Sequence, residues 1–154
     1  MGKPILCLDF DGVLHSYTSG WKGARNIPDP PVPGALEFVV TALESFTVAI
    51  YSSRSHQWGG RRAMKRWLKD HLYRAGCISW EETPKWWQDR IAKTAFADPW
   101  EDEVDWAARG VVREIKWPNH KPSAMITIDD RALTFTGKWP LLCDRKAFKP
   151  WNKR

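Results

Sequence analysis

Acidic and hydroxyl side chains follow three short apolar runs that are far apart in the sequence. These clusters are Asp9-Phe10-Asp11, Ser52-Ser53-Arg54 and Asp129-Asp130. Carboxylates gathered at one place repel one another unless a cation lies among them. Because oxygen ligands suit Mg²⁺ better than Zn²⁺, for which cysteine and histidine would be expected, the clusters predict a magnesium site. The candidate metal ligands are Asp9, Asp11, Asp129 and Asp130.

The spacing of the first two aspartates gives them different roles in phosphoryl transfer. Asp9 can end a strand, while Asp11 lies just beyond it, next to Gly12, which permits a tight turn. One carboxylate can attack phosphorus and form an aspartyl-phosphate, and the other can protonate the leaving oxygen and later activate water. The candidate catalytic residues are therefore Asp9 and Asp11.

Two further residues could stabilise the transferring group. The Ser52 hydroxyl, with neighbouring backbone N–H groups, could hold a phosphate oxygen, and Lys121 could supply positive charge. Each residue also has an ordinary alternative, since a serine can cap a turn and a loop lysine is usually only solvated. Ser52 and Lys121 complete the candidate catalytic set.

The elements that position these residues can be predicted from periodicity. Strands are predicted at 5–10, 47–51, 111–117, 124–128 and 133–136. Helices are predicted at 33–45, in a segment that follows Gly59-Gly60 and is closed by Gly76, at 83–96 and at 101–109. Alternating strands and helices favour a mostly parallel sheet with right-handed crossovers. Because ligands bind outside the carboxyl ends of such strands, the three polar clusters are expected to meet at one edge.

Four segments resemble the sequence motifs of the haloacid dehalogenase (HAD) superfamily, and they occur in the family's order. DFDGVLH at Asp9–His15 resembles the first motif, IYSSR at Ile50–Arg54 the second, Lys121 the third and ITIDDRA at Ile126–Ala132 the fourth. Together the motifs frame most of the chain. The resemblance implies an α/β fold, a Rossmann-like three-layer sandwich with a mostly parallel sheet.

The resemblance also implies a role for each acidic residue. Magnesium would be held by Asp9, by the backbone carbonyl of Asp11 and by a carboxylate of the Asp129-Asp130 pair, either member of which could touch the metal. Asp9 would be the nucleophile. Asp11 would be the acid and base expected of phosphatases in the superfamily.

Residues that would bind the substrate lie beside the same motifs. Ser52 and Lys121 would bind phosphate, with Lys85 as the alternative lysine. Lys121 is preferred because it immediately precedes the strand that carries Asp129. The remaining candidate substrate contacts are Gly12, Ser53 and Arg54.

The whole chain, 1–154, is expected to form one HAD-like domain with a small or absent cap. The candidates for a cap are 12–33, a glycine- and proline-rich flap, and 79–110, a helical insert. Such a site would be open, which suits nucleotides or the terminal phosphates of polynucleotides. By analogy, the nearest subgroup is the HAD domains associated with phage and bacterial nucleic-acid repair.

The sequence therefore predicts a magnesium-dependent phosphomonoester hydrolase that acts through an aspartyl-phosphate. The alternative is a nucleic-acid-binding module whose HAD site is vestigial or only holds metal. The formal net charge of +6 favours a polyanionic partner, and 54–74 holds seven Lys or Arg against Asp70 alone. Such a run is more often a solvated helix face than a nucleic-acid groove. Trp86, Trp87 and Trp100 could stack on bases, although packing against helices is the commoner role.

Cysteine usage and the N-terminus indicate the compartment. The chain has three cysteines and no CxxC pair, which argues against a disulfide framework and a zinc site. The apolar stretch before Asp9 is only five residues long, which fits neither a signal peptide nor a membrane span. We expect a cytoplasmic protein with no membrane partner, and the sequence leaves its oligomeric state open.

Overall fold

The computed structural model is an α/β fold built on a parallel sheet. Its strands are β1 (Ile5–Leu8), β2 (Thr47–Ile50) and β3 (Ile126–Ile128), in the order β2-β1-β3. β1 is central, with Leu6 aligned to Val48 of one neighbour and to Ile126 of the other. Leu6, Cys7 and Leu8 are buried, which explains why this run shows no polar alternation. Three of the predicted strands are thus confirmed, each shorter than expected.

The structure describes residues 2–77, 79–94, 102–133, 136–138 and 150–151. Residues 134 and 135 of the predicted strand at 133–136, the predicted end of a helix at Phe96, and Trp100 lie outside these residues. Within the described ranges, no helix combines the length and the apolar character needed to cross a bilayer.

Four helices accompany the sheet in the described part of the chain. They are α1 (Ala35–Ser45), α2 (Gly60–Gly76), α3 (Lys85–Thr94) and α4 (Glu103–Glu114). Each helix contributes an apolar stripe to the same buried cluster as β1 and β2, for example Val39, Leu68, Trp87 and Val111. The described part of the segment 79–110, which was predicted as a helical insert, therefore includes α3 and most of α4, and both helices contribute to the core.

Residues 111–117 were predicted to form a strand, and this prediction is wrong because α4 continues to Glu114. Ala107, Val111 and Ile115 recur at helical spacing and are all buried. α4 packs against α2, so burial of this stripe outweighs the preference of valine and isoleucine for strands.

The ends of α4 also differ from the prediction. The helix begins after Asp102, whose carboxylate accepts the N–H groups of Val104 and Asp105. Gly110, predicted to end the helix, lies inside it. Beyond the helix, Lys116 pairs with Ala49 in one isolated parallel bridge beside β2.

The predicted flap, 12–33, is a loop that folds back on the end of β1. Val32 N–H donates to the carbonyl of Leu14 at 2.8 Å. His15 and Asp29 are buried within this loop. The loop therefore supplies buried polar side chains behind the sheet edge that carries Asp9.

Candidate active site

The carboxyl ends of the strands meet at one edge of the sheet, because the strands are parallel. Asp9 follows β1, Ser52 comes shortly after β2, and Asp129 follows β3. A cavity of about 250 Å³ lies at this edge. The predicted site residues that line it are Asp9, Asp11, Ser52, Ser53, Lys121 and Asp129. Its wall also includes Cys7, Tyr17, Tyr51, Thr127 and Arg131.

Three carboxylates form an acidic cluster at this cavity. Oxygens of Asp9, Asp129 and Asp130 all lie within 4.8 Å of one another. Burial and the nearby aspartate charges raise the pKa of Asp9 to about 7. The hydrogen bond that Phe10 N–H donates to Asp9 opposes this rise. The cluster alone would not keep all three carboxylates fully ionised at neutral pH.

Asp130 gives the clearest indication that the cluster suits a cation. Its side chain is 1% exposed, and neither carboxylate oxygen has a hydrogen-bond partner among the described residues. Arg131 Nε lies 3.6 Å from Asp130 Oδ2. Burial raises the pKa of Asp130, although Arg131 opposes this. A buried carboxylate without donors is costly unless it is protonated or bound to a cation, and an all-carboxylate donor set fits magnesium.

Gly12 allows Asp130 to approach this closely. Gly12 has a φ of +89°, and a Cβ placed on it would lie 2.5 Å from Asp130 Oδ2. Its N–H donates to the carbonyl of His15 at 2.8 Å. Gly12 was predicted to contact substrate; its N–H is engaged within the protein, and the contact that requires glycine here is with Asp130.

Asp11 is held between a buried histidine and a buried arginine. Its Oδ1 lies 2.8 Å from His15 Nδ1, and its Oδ2 accepts from Arg54 Nε at 2.8 Å. Burial opposes ionisation of Asp11, but these hydrogen bonds outweigh it and hold the pKa of Asp11 below its ordinary value. Asp11 is therefore ionised in the free protein and fixed in orientation.

Hydrogen bonds determine the tautomer of His15. Asp29 N–H donates to His15 Nε2 at 3.1 Å, so this nitrogen carries no proton. His15 Nδ1 must then carry the proton and donate it to the Asp11 carboxylate. The rings of Phe10 and Trp67 pack against the imidazole and restrict its rotation.

Arg54 lies behind Asp11 and is not one of the residues that line the cavity. Its Nη1 donates to the carbonyls of Gly23, Ala24 and Asn26 at 2.7, 3.0 and 3.3 Å. The side chain is completely buried. Arg54 was predicted to contact substrate, and its contacts in the structure instead join Asp11 to the flap.

Ser52 and Lys121 provide the hydroxyl and ammonium groups of the cavity. Ser52 Oγ accepts the N–H of Arg54 at 3.3 Å, which leaves its own hydroxyl proton available to a phosphate oxygen. Lys85, the alternative lysine, lies on α3 with Nζ 2.6 Å from Asp89 Oδ1. Of the two lysines, only Lys121 lines the cavity.

Sequence reasoning missed His15, Tyr17 and Arg131. Tyr17 has a φ of +57°, a region that tyrosine rarely occupies, and Arg131 Cζ lies 5.7 Å from its ring centroid. His15 and Arg131 each stand inside a motif quoted above, so their positions could have singled them out. Nothing in the sequence marks Tyr17.

Comparison of the chain with protein-family models, with curated proteins and with solved structures found no match. The functional argument therefore depends on the geometry of the cavity and on the sequence motifs. In that geometry, a cluster of carboxylates lies beside groups suited to an anion, at the edge of a parallel sheet where ligands commonly bind.

Proposed function

We propose that this chain is a magnesium-dependent phosphomonoester hydrolase of the HAD type, with a Rossmann-like core and an aspartyl-phosphate intermediate. The observation that supports it most is the cluster of Asp9, Asp129 and Asp130, of which Asp9 and Asp129 line the same cavity as Ser52 and Lys121. A cation site beside groups that bind anions is what phosphoryl transfer requires.

Asp9, Asp129 and Asp130 would hold the magnesium ion, together with the backbone carbonyl of Asp11 that the HAD resemblance implies. Bound Mg²⁺ would neutralise charge on the phosphate and the carboxylates, so that two anions can meet. Asp9 would then be ionised, because contact with a cation opposes the burial and the like charges that raise its pKa.

The reaction has two displacement steps. In the first, an Asp9 oxygen attacks phosphorus, the bond from phosphorus to the ester oxygen breaks, and the leaving oxygen takes a proton from Asp11. In the second, water attacks phosphorus and gives a proton to Asp11, and the bond from phosphorus to Asp9 breaks to release inorganic phosphate. Ser52 and Lys121 stabilise the charge on the non-bridging oxygens in both steps.

Asp11 must carry a proton when the leaving group departs, although His15 and Arg54 hold its pKa low in the free protein. A phosphate dianion that enters the cavity should raise the pKa of Asp11, because a nearby negative charge disfavours an ionised carboxylate. We therefore expect Asp11 to take up its proton when substrate binds. His15 and Arg54 then serve to keep that carboxyl group in one orientation.

Phosphate release from a small aryl phosphate, measured with Mg²⁺ and with a chelator, tests this proposal. We expect turnover that requires Mg²⁺, a loss of about 10³-fold or more in Asp9→Asn, and a loss of about 10²- to 10⁴-fold in Asp11→Asn. Asp89→Asn, which removes a carboxylate from the exposed side of α3, is the matched control. Equal rates for the native protein and Asp9→Asn would end the proposal.

A second candidate function is a nucleic-acid-binding module whose HAD site is vestigial or only holds metal. A neighbouring cavity lined by Arg61, Arg62 and Lys65 favours this candidate. It would be preferred if the protein bound oligonucleotides but released no phosphate from aryl phosphates, nucleotides or phosphorylated oligonucleotides in the presence of Mg²⁺.

A further inference from the structure

A second cavity, of about 770 Å³, adjoins the proposed active site. It is formed by the loop after β2, the start of α2 and the loop that leads to β3. The same two loops line both cavities: Ser53 and Lys121 line the first, and Ser55 and His120 line the second. The two cavities are therefore neighbours along shared loops.

Two aromatic rings lie at the junction of the cavities. Tyr51 lines the first cavity, His56 lines the second, and their ring centroids are 5.6 Å apart. His56 Nδ1 lies 3.1 Å from the carbonyl of Asn119, which joins the two loops. A ligand whose end occupies the first cavity could thus continue into the second.

The second cavity is lined by positively charged side chains, whereas the cluster at the first cavity is negatively charged. Arg61, Arg62 and Lys65 line it with two histidines, and none of the described residues in its wall is acidic. Most basic helix faces are simply solvated. Here the cations converge on a concave surface next to a proposed phosphate site, so a polyanion bound at that site could contact them.

Two of these cations are held in place by Trp117. Arg61 Nη1 donates to the Trp117 carbonyl at 3.3 Å, and Lys65 Nζ lies 5.8 Å from the centroid of the Trp117 ring. The residues are four apart on α2 and therefore share one face of the helix. This support reduces the conformational freedom that the side chains would lose on binding an anion.

The second cavity also presents an exposed tryptophan. Trp58 is 82% exposed, whereas Trp67 and Trp87 are buried in the core. The guanidinium carbon of Arg25 lies 4.8 Å from the centroid of the Trp58 ring. An indole exposed to this extent, with a cation at one face, is suited to stack on a nucleobase.

We propose that the second cavity binds the strand of a single-stranded polynucleotide whose terminal phosphate occupies the first cavity. Arg61, Arg62 and Lys65 contact internucleotide phosphates, and Trp58 stacks on a base. This inference rests on the proposed function, to which it adds the substrate class. Cations beside an exposed aromatic ring match a ligand that alternates phosphates and bases, while a phosphopeptide offers no regular series of either.

The test compares kcat/KM for a phosphorylated single-stranded oligonucleotide, a mononucleotide and the aryl phosphate, using 5′- and 3′-phosphorylated strands as separate arms. We expect the native protein to prefer one of the oligonucleotides by about 10-fold or more at low salt. Trp58→Ala, and the double variant Arg61→Ala/Arg62→Ala, should lower the ratio of oligonucleotide to aryl-phosphate kcat/KM by roughly 5- to 100-fold. Arg66→Ala on α2 and Trp106→Ala on α4, which lie outside both cavities, should leave that ratio at its native value.

Binding of a labelled strand to Asp9→Asn, followed by fluorescence anisotropy, separates this inference from the proposed function. A plot of log affinity against log salt concentration should have a slope that is shallower by on the order of 1 in the Arg61→Ala/Arg62→Ala variant. If the native protein hydrolyses no substrate but the cavity variants weaken binding, the proposed function fails and the strand site stands. If aryl phosphate is hydrolysed but the oligonucleotides are not preferred, or a phosphopeptide serves equally well, the strand site is overturned.

Discussion

Arg54 and Asp11 form a buried ion pair in which Arg54 Nε lies 2.8 Å from Asp11 Oδ2. The two residues are 43 positions apart and come from the loops after β2 and β1. Because flap carbonyls hold the other end of the guanidinium, it cannot follow Asp11 if the carboxylate moves. The pair therefore fixes the proposed acid and base against the flap.

Loss of Arg54 should be strongly destabilising. We expect Arg54→Ala to lower the free energy of unfolding by about 3 to 5 kcal/mol, because it leaves Asp11 buried with one partner fewer. Denaturant unfolding measures this, with the exposed Arg66→Ala expected within about 0.5 kcal/mol of native. The double variant Arg54→Ala/Asp11→Asn should lose less than the sum of its single variants. A loss below about 1 kcal/mol for Arg54→Ala would contradict the geometry.

Gly12→Ala should damage both stability and magnesium binding. The added Cβ would meet Asp130 Oδ2 at 2.5 Å in a residue whose φ is +89°. Gly20→Ala is the matched control, since Gly20 has a φ of +71° but nothing within 4 Å of an added Cβ. We expect the control to lose about 1 to 2 kcal/mol from backbone strain alone, and Gly12→Ala to lose more.

Calorimetric titration then separates the two glycine variants by function. Only Gly12→Ala should bind Mg²⁺ more weakly, by about 10-fold or more, because it would displace Asp130, a proposed metal ligand. Equal Mg²⁺ affinity in Gly12→Ala and Gly20→Ala would show that Asp130 does not contribute to the site.

The sequence predicts which segments converge, because the carboxyl ends of parallel strands necessarily share an edge. Asp9, Ser52 and Asp129 could be placed there from the apolar runs alone. The direction of the Arg54 side chain could not, since it depends on backbone carbonyls at 23–26 in an irregular loop. The role of His15 was hidden for the same reason, as its tautomer is set by the distant Asp29 N–H.

The strand predicted at 111–117 is wrong for a different reason. A short run of β-branched residues is compatible with a buried strand and with the buried face of a helix. Val111 and Ile115 lie on the helical stripe that packs into the core, and this contact is known only once α2 and α4 are brought together. Gly110 was predicted to end the helix because glycine disfavours a helix interior, but the packing of α4 against the core outweighs that preference.

Without metal, stability should fall as the pH rises, and Asp9 is the reason. Its folded pKa is raised to about 7 from an ordinary value of 3.8, so between these values the folded state binds a proton that the unfolded state has lost. The stabilisation is complete below the unfolded pKa and disappears as the pH passes the folded pKa. In chelator, native protein should therefore lose on the order of 1 to 4 kcal/mol relative to Asp9→Asn between about pH 5 and about pH 8.

Magnesium should reverse this dependence, because on the proposed function it would bind the ionised form of Asp9. Added Mg²⁺ should raise the Tm of the native protein more at about pH 8 than at about pH 6, and should change the Tm of Asp9→Asn little at either. A difference between native protein and Asp9→Asn that does not vary with pH in chelator would exclude Asp9 as the titrating group.

Lys121→Met should lower kcat/KM for the aryl phosphate by about 10²- to 10³-fold, since it removes the cavity's exposed ammonium group while keeping most of the side-chain volume. Inorganic phosphate, a product that would occupy the same position, should become a correspondingly weaker competitive inhibitor. Lys85→Met is the matched control, because Lys85 pairs with Asp89 on α3 and should leave both constants unchanged. Were Lys85→Met the damaging substitution, the phosphate would have to bind near α3, and the cavity at the sheet edge would lose its catalytic assignment.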